Sequence, residues 1–170
     1  MGRMRGVVTI VLGAALLISV AGCASIAQQA TKSAVENATG VKVDQSSGKT
    51  TITGKDGSQA TISGNDNKLP EGLPSYVPTY SGAVKGSAAI TTDKGTNFTF
   101  TIATDDSAQT VADWYKAKLA ENGWTVTATV LNGDRGMIQA KKGETSSAII
   151  TINKNSDGKT EVATIVDVKK

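Results

Sequence analysis

The chain has 170 residues, with 18 basic and 15 acidic side chains, a single cysteine and no histidine. Lack of histidine removes the commonest general base and metal ligand, and one cysteine supports neither an internal disulfide nor a Cys/His zinc set. No GxSxG elbow and no phosphate-cradling GxxxxGK[ST] loop occurs, and the lysines are scattered without interleaved aromatics. The chain is therefore expected to be no enzyme, to need no cofactor or metal, and to bind no nucleic acid.

Residues 1–22 have the parts of an export signal. "MGRMRG" places Arg3 and Arg5 ahead of the uncharged stretch "VVTIVLGAALLISVAG", which is short for a ~30 Å hydrocarbon core and ends in small residues, as a cleavage site must. "VAGC" follows this greasy run and resembles the lipobox of bacterial lipoproteins. The resemblance implies that the Cys23 thiol is acylated, that the chain is cut just before it, and that Cys23 becomes the mature N-terminus. An ordinary signal peptide, or an uncleaved anchor helix with an incidental cysteine, are the alternatives. Acylation accounts for an otherwise unpaired thiol in an exported protein, and each buried CH₂ adds ~0.8 kcal/mol of membrane affinity. Membrane lipid is thus the first expected partner, on the extracytoplasmic side of a bacterial membrane. In a two-membrane cell, Ala24 after the cysteine favours the outer one. Cleavage leaves 16 basic against 15 acidic residues, a net charge of +1, so the whole-chain pI near 9.0 overstates the basicity of what remains.

Residues 23–40 read as a lipid-anchored tether. Ile26, Ala30, Ala34 and Ala38 fall at helical spacing and Gly40 supplies a stop, although a short alanine-rich helix is marginal alone and an unstructured linker is nearly as good a reading. Residues 41–68 contain two β-branched runs, "KTTIT" and "QATIS", joined by "GKDGS", the composition of a hairpin. Rich in threonine and poor in large apolar residues, this hairpin either packs on something or stands as a solvated ribbon. The three prolines, Pro70, Pro74 and Pro78, then fall within "LPEGLPSYVP" and mark a boundary. Residues 69–170 form the main α+β domain.

That domain starts with a hairpin, "KGSAAITT" and "TNFTFTIAT" around "DKG", with Phe98, Phe100 and Ile102 alternating onto one face. "DDSAQTVADWYKAKLAENG" is a helix. Asp105, Asp106 and Ser107 offer N-caps, Val111, Tyr115 and Leu119 line one side, and Gly123 ends it. Four strands follow, "WTVTATVL", "GMIQAKK", "SAIITINK" and "TEVATIVDV", separated by "NGDRG", "GETS" and "NSDGK". Such short turns allow only antiparallel neighbours. Trp124, Val126, Val130, Ile138, Ile150, Ile152, Val162 and Val166 are expected to face the helix. The fold class is an antiparallel β-meander sheet with one helix across one face, preceded by the Thr-rich hairpin.

"LP…VPTYSGA", a hairpin, "VADWYKAKLAENGW" and a meander together resemble a broad group of bacterial envelope lipoproteins, whose members often read P-x-Y-P-G-A before a hairpin and a helix ending in F/W-Y-x₃-L-x₃-G-W. The resemblance covers most of residues 40–168, and Ser81 departs from it where the group often has proline. It implies a fold and an address, and carries no activity.

Two apparent motifs dissolve on inspection. "SSGK" (Ser46, Lys49) and "SDGK" (Ser156, Lys159) match S-x-x-K but lie in polar turns, not at the start of a buried helix. Asn153, Asn155, Asp157 and Gly158 imitate a calcium loop, but position 12, which needs a bidentate Glu, is Thr164. The "DD" at 105–106 reads as helix-end charge. A positive hint remains in the aromatics, all seven of which fall between Tyr76 and Trp124. Most are expected in the core, while Tyr76, Tyr80 and Trp114 form a candidate binding surface beside the proline segment. The sequence thus points to a membrane-anchored envelope lipoprotein with a non-catalytic structural or protein-interaction role, its partner an envelope protein or wall polymer. The alternative is a binding module for a small ligand, a glycan or a peptidoglycan fragment. A pocket beside the proline segment would favour the second.

Overall fold

The computed structural model describes residues 36, 37, 39–46, 49–63 and 67–170. Cys23, the segment expected to be an export signal and most of the expected tether lie outside the described residues. Within them stand, after helical residues 36, 37 and 39, nine strands and a fourteen-residue helix: β1 (Lys42–Ser46), β2 (Lys49–Thr53), β3 (Gln59–Ser63), β4 (Ala83–Thr92), β5 (Gly95–Thr104), α1 (Ala108–Glu121), β6 (Thr125–Asn132), β7 (Arg135–Lys142), β8 (Ser146–Lys154) and β9 (Thr160–Lys169).

Every strand pairing is antiparallel, in the order β1-β2-β3-β4-β5-β9-β8-β7-β6. The hairpin β4–β5 ends at the helix, which carries the chain to the far edge. The meander β6 to β9 then works back until β9 lies beside β5, from Gly95 opposite Lys169 to Thr104 opposite Thr160. Ten residues on each side make this seam, which sets Phe98, Phe100 and Ile102 opposite Val166, Thr164 and Val162. The result is the expected α+β architecture: an open antiparallel sheet with one helix packed across it.

The helix begins at Ser107, whose side chain accepts a hydrogen bond from the Thr110 amide at 3.1 Å, so the serine and neither aspartate is the N-cap. It ends at Asn122, and the following Gly123 has φ +73, a conformation that favours glycine. Its Val111, Tyr115 and Leu119 are fully buried, and it approaches β6, β7 and β8. Alternation supplies the opposing surface: Ala148, Ile150 and Ile152 of β8 are buried, as are Ile138 and Ala140 of β7.

One expected core residue is on the wrong face. Val130 is 58% exposed, because β6 carries a bulge between Val126, opposite Ala140, and Ala128, opposite Gln139. An extra residue reverses the in–out alternation beyond it. Leu131 therefore takes the inward position, packed against the core, and a Cβ on Gly136 opposite would stand 2.8 Å from the Leu131 side chain. Glycine at 136 gives the leucine its space.

The Thr-rich hairpin β2–β3 forms, with β1 as a further strand ahead of it, and β3 pairs with β4 from Gln59 opposite Thr91 to Ser63 opposite Ser87. The chain between β3 and β4, with its three prolines, thus links two hydrogen-bonded neighbours of one sheet. Val77 and Pro78 of this segment are buried, and Leu73, Tyr76 and Tyr80 pack on the core. Ser63 is the only residue of β1 to β3 to be buried among those described, so the threonine ribbon extends the sheet without extending its apolar core.

Candidate functional site

The three aromatic residues picked out from sequence divide between two places. Tyr80 meets Trp114 edge-on at 5.0 Å, and Trp114 meets Tyr115 in the same way at 5.0 Å. Trp114 is half-buried at the border of the helix's inward stripe. Tyr76 sits instead with Trp124, ring centroids 6.1 Å apart, and its carbonyl accepts the Trp124 indole N–H at 2.9 Å. Lys142 Nζ lies 5.3 Å from the Tyr76 ring and donates to the Asn122 carbonyl at 2.6 Å, at the helix's C-terminal end. Tyr76 lies within a turn closed by the Val77 amide on the Pro74 carbonyl, Tyr80 follows that turn, and the two tyrosines make separate contacts.

The Tyr80 corner is polar as well as aromatic. The Tyr80 hydroxyl donates to Asp106 Oδ2 at 2.7 Å, and Thr104 Oγ1 donates to the same oxygen at 3.1 Å. Burial, the hydrogen bond to Asp106 and the charge of that carboxylate push the Tyr80 phenol up to about 12. Burial likewise raises Tyr115, opposed by the hydrogen bond that its hydroxyl accepts from the Tyr80 amide. Asp105, the other half of the "DD" pair, is held by Lys159 at 2.6 Å. Each aspartate of the pair thus has its own partner. The calcium-like stretch is a turn: Asn155 Oδ1 accepts from the amides of Asp157 and Lys159, the Asx pattern of a hairpin loop.

A concave site lies farther along the same face. On β5 this face carries Phe98 and Phe100, but their partners on β4 are Ala89 and Ser87. Next come Thr61 and Ser63 on β3, then Thr51 and Lys49 on β2. The residues of β4, β3 and β2 on this face, with Gln59 and Thr91, floor a groove of about 310 Å³ walled by Pro70 and Glu71 of the proline segment. Lys49 and Glu71 pair across it at 3.2 Å, and the Thr51 and Thr61 hydroxyls stand 3.4 Å apart. Ser87 is only 6% exposed, and its Oγ finds no hydrogen-bond partner among the described residues. A buried hydroxyl left in that state costs about 1–3 kcal/mol. Among the described lining residues it is the one buried side-chain oxygen without a partner.

Nothing in the sequence of these strands marks this groove. Threonine suits a pleated strand on general grounds, so its abundance in β2 and β3 does not mark a site. The proline segment was the usable signal, although it walls the groove with Pro70 and Glu71 and not with its tyrosines.

A family model of START domain-like proteins matches residues 84–159, a span that runs from β4 through α1 to the β8–β9 turn. The chain is similar to that family over rather less than half its length. No curated protein matches. No solved structure matches either.

Two measurements test the aromatic geometry. Tyr115→Ala and Leu119→Ala each should lower stability by ~2–5 kcal/mol, and Trp114→Ala by less, because its side chain is half-exposed; thermal unfolding of the three variants reads this. Equal losses would place Trp114 in the core and end its candidacy as a binding residue. The second test concerns alkali. A phenol raised in the folded state contributes stability that is complete below the unfolded value near pH 10 and lost as pH rises toward 12. Stability should fall over that window, and Tyr80→Phe should make the fall shallower in pH-dependent denaturation. An unchanged slope would remove Tyr80 from the alkaline transition.

Proposed function

We propose that this chain is a non-enzymatic binding module of the bacterial envelope, held at the membrane by acylated Cys23 and presenting the concave face of its sheet to a small ligand. The observation that carries the reading is the groove over β2, β3 and β4, with its buried, unsatisfied Ser87 hydroxyl. The START domain-like match supports a ligand-binding module, and it includes the β4 lining from Ser87 to Thr91. The face beneath the helix offers a ligand less, because Tyr115, Leu119, Val111, Ile138, Ile150 and Ile152 leave almost none of their surface exposed.

No helix among the described residues is long and apolar enough to cross a membrane. Attachment in this reading rests on the lipobox and on Cys23, which lie ahead of them. A protein-interaction role keeps one observation in its favour: the sheet's outer face exposes the cross-strand pair Ile149–Ile165, with Ile62, Ile90 and Val130 on the same side.

Mass spectrometry of the intact protein taken from membranes tests both parts. The expected species starts at Cys23, carries acyl chains and, under native conditions, retains a small-molecule adduct. An intact residue 1 or a free thiol at Cys23 would contradict the anchor. A ligand-free species, together with no thermal shift from envelope extracts, would contradict the binding role.

A further inference from the structure

The chemistry of the groove identifies a class of ligand. We infer that it takes a neutral, polyhydroxylated molecule, a short glycan, bound across β2, β3 and β4 with Ser87 Oγ at its base; this inference rests on the binding-module reading above. The lining is dominated by groups that both donate and accept: the hydroxyls of Thr51, Thr61, Ser63, Ser87 and Thr91, with the Gln59 amide beside them. Sugar hydroxyls have the same dual character, so such a surface can satisfy them whichever way each one points.

Charge and size exclude the competing classes. An anion needs an uncompensated cation, but Lys49, the groove's one basic residue, is already paired with Glu71 at 3.2 Å. An acyl chain needs a broad apolar wall, and among the described lining residues Pro70 and Ala89 alone turn apolar side chains to the groove, since alternation directs the Ala88 methyl to the outer face with Ile62 and Ile90. That small patch suits the C–H face of a sugar ring. A volume near 310 Å³ stands at the lower end of ligand pockets, about 300–1,000 Å³, which fits a short segment of glycan.

The position of Ser87 within the sheet supports the same conclusion. On this face the sheet passes from Phe100 on β5 to Ser87 on β4 to Ser63 on β3. Both serines are buried. An alanine would fill the Ser87 position as well and would leave no orphaned oxygen. The hydroxyl becomes useful when a ligand reaches it.

The test is an amide NMR titration of the full-length protein in a zwitterionic, sugar-free detergent, with maltotriose and with triacetylchitotriose as probes. At least one should give saturable shifts centred on Thr51, Thr61, Ser87 and Ala89, and inorganic phosphate should give none. The acetylated sugar alone would point to wall-type glycan, and maltotriose to plain glucan. Ser87→Ala should weaken binding about three- to tenfold without lowering the melting temperature, since it removes an unpaired group. Thr61→Val should weaken binding to a similar degree, while Thr101→Val on the opposite face should have no effect. Saturable phosphate binding, or a Ser87→Ala variant that melts earlier yet binds unchanged, would overturn the assignment. Silence with both sugars would overturn it too, and if the membrane-derived protein still carried an adduct, the binding-module reading would survive that failure. Shifts centred on Tyr80 and Trp114 would likewise move the site to the aromatic corner and leave the reading standing.

Discussion

The ladder between β5 and β9 is the constraint on which the rest of the molecule depends. Without it, the β4–β5 hairpin and the β6–β9 meander would be two small sheets, each with an apolar face too narrow for a stable core. The seam places Phe98, Phe100 and Ile102 beside Val162 and Val166, so one helix and one irregular segment can cover both halves. Because the pairing closes at the last strand, it joins residues far apart in sequence. Such contacts form only after a large loss of chain entropy, and the burial of Tyr115 and Phe100 against this surface offsets that loss.

The same seam leads to a division along the concave face. From β6 to β5 the inward positions are mainly aliphatic or aromatic and are covered by α1 and the proline segment. From β4 to β2 they become serine, threonine, glutamine and lysine, with no helix above them. A sheet that continues past its apolar core carries strands held by backbone hydrogen bonds and small side chains. These strands are expected to open more readily than the centre. Exposed, hydroxylated and concave, they form the part of the face that a hydrophilic ligand can reach, in keeping with the binding role we propose.

Much of this architecture can be read from the residues, and the failures have physical causes. Alternation in β5, the Val111–Tyr115–Leu119 stripe and the Asn/Asp/Gly turns are local signals, and the structure follows them within a residue or two. The bulge in β6 has no local signature, since nothing about Thr127 distinguishes it from its neighbours, so Val130 and Leu131 exchange faces unannounced. Strand β1 contributes little beyond Val43 to an apolar pattern and is held by pairing with β2. The candidate site was the least legible part. Its lining comes from three strands and the proline segment, brought together by register, and threonine in a strand carries no mark of function. Tyr76 and Tyr80 are near in sequence, but Tyr76 lies inside the Pro74–Val77 turn and meets Trp124, while Tyr80, beyond that turn, meets Trp114.

Amide hydrogen exchange on the full-length protein, with and without a trisaccharide that it binds, tests the central claim most directly: a stable covered half carries an open binding half in one sheet. The account expects the slowest exchange at Phe98–Ile102 and Val162–Val166, and much faster exchange throughout β1, β2 and β3. Added glycan should slow exchange in β2, β3 and β4 and leave α1 unchanged. Uniformly slow exchange out to β1 in the free protein, or glycan protection located between α1 and β6–β8, would contradict it.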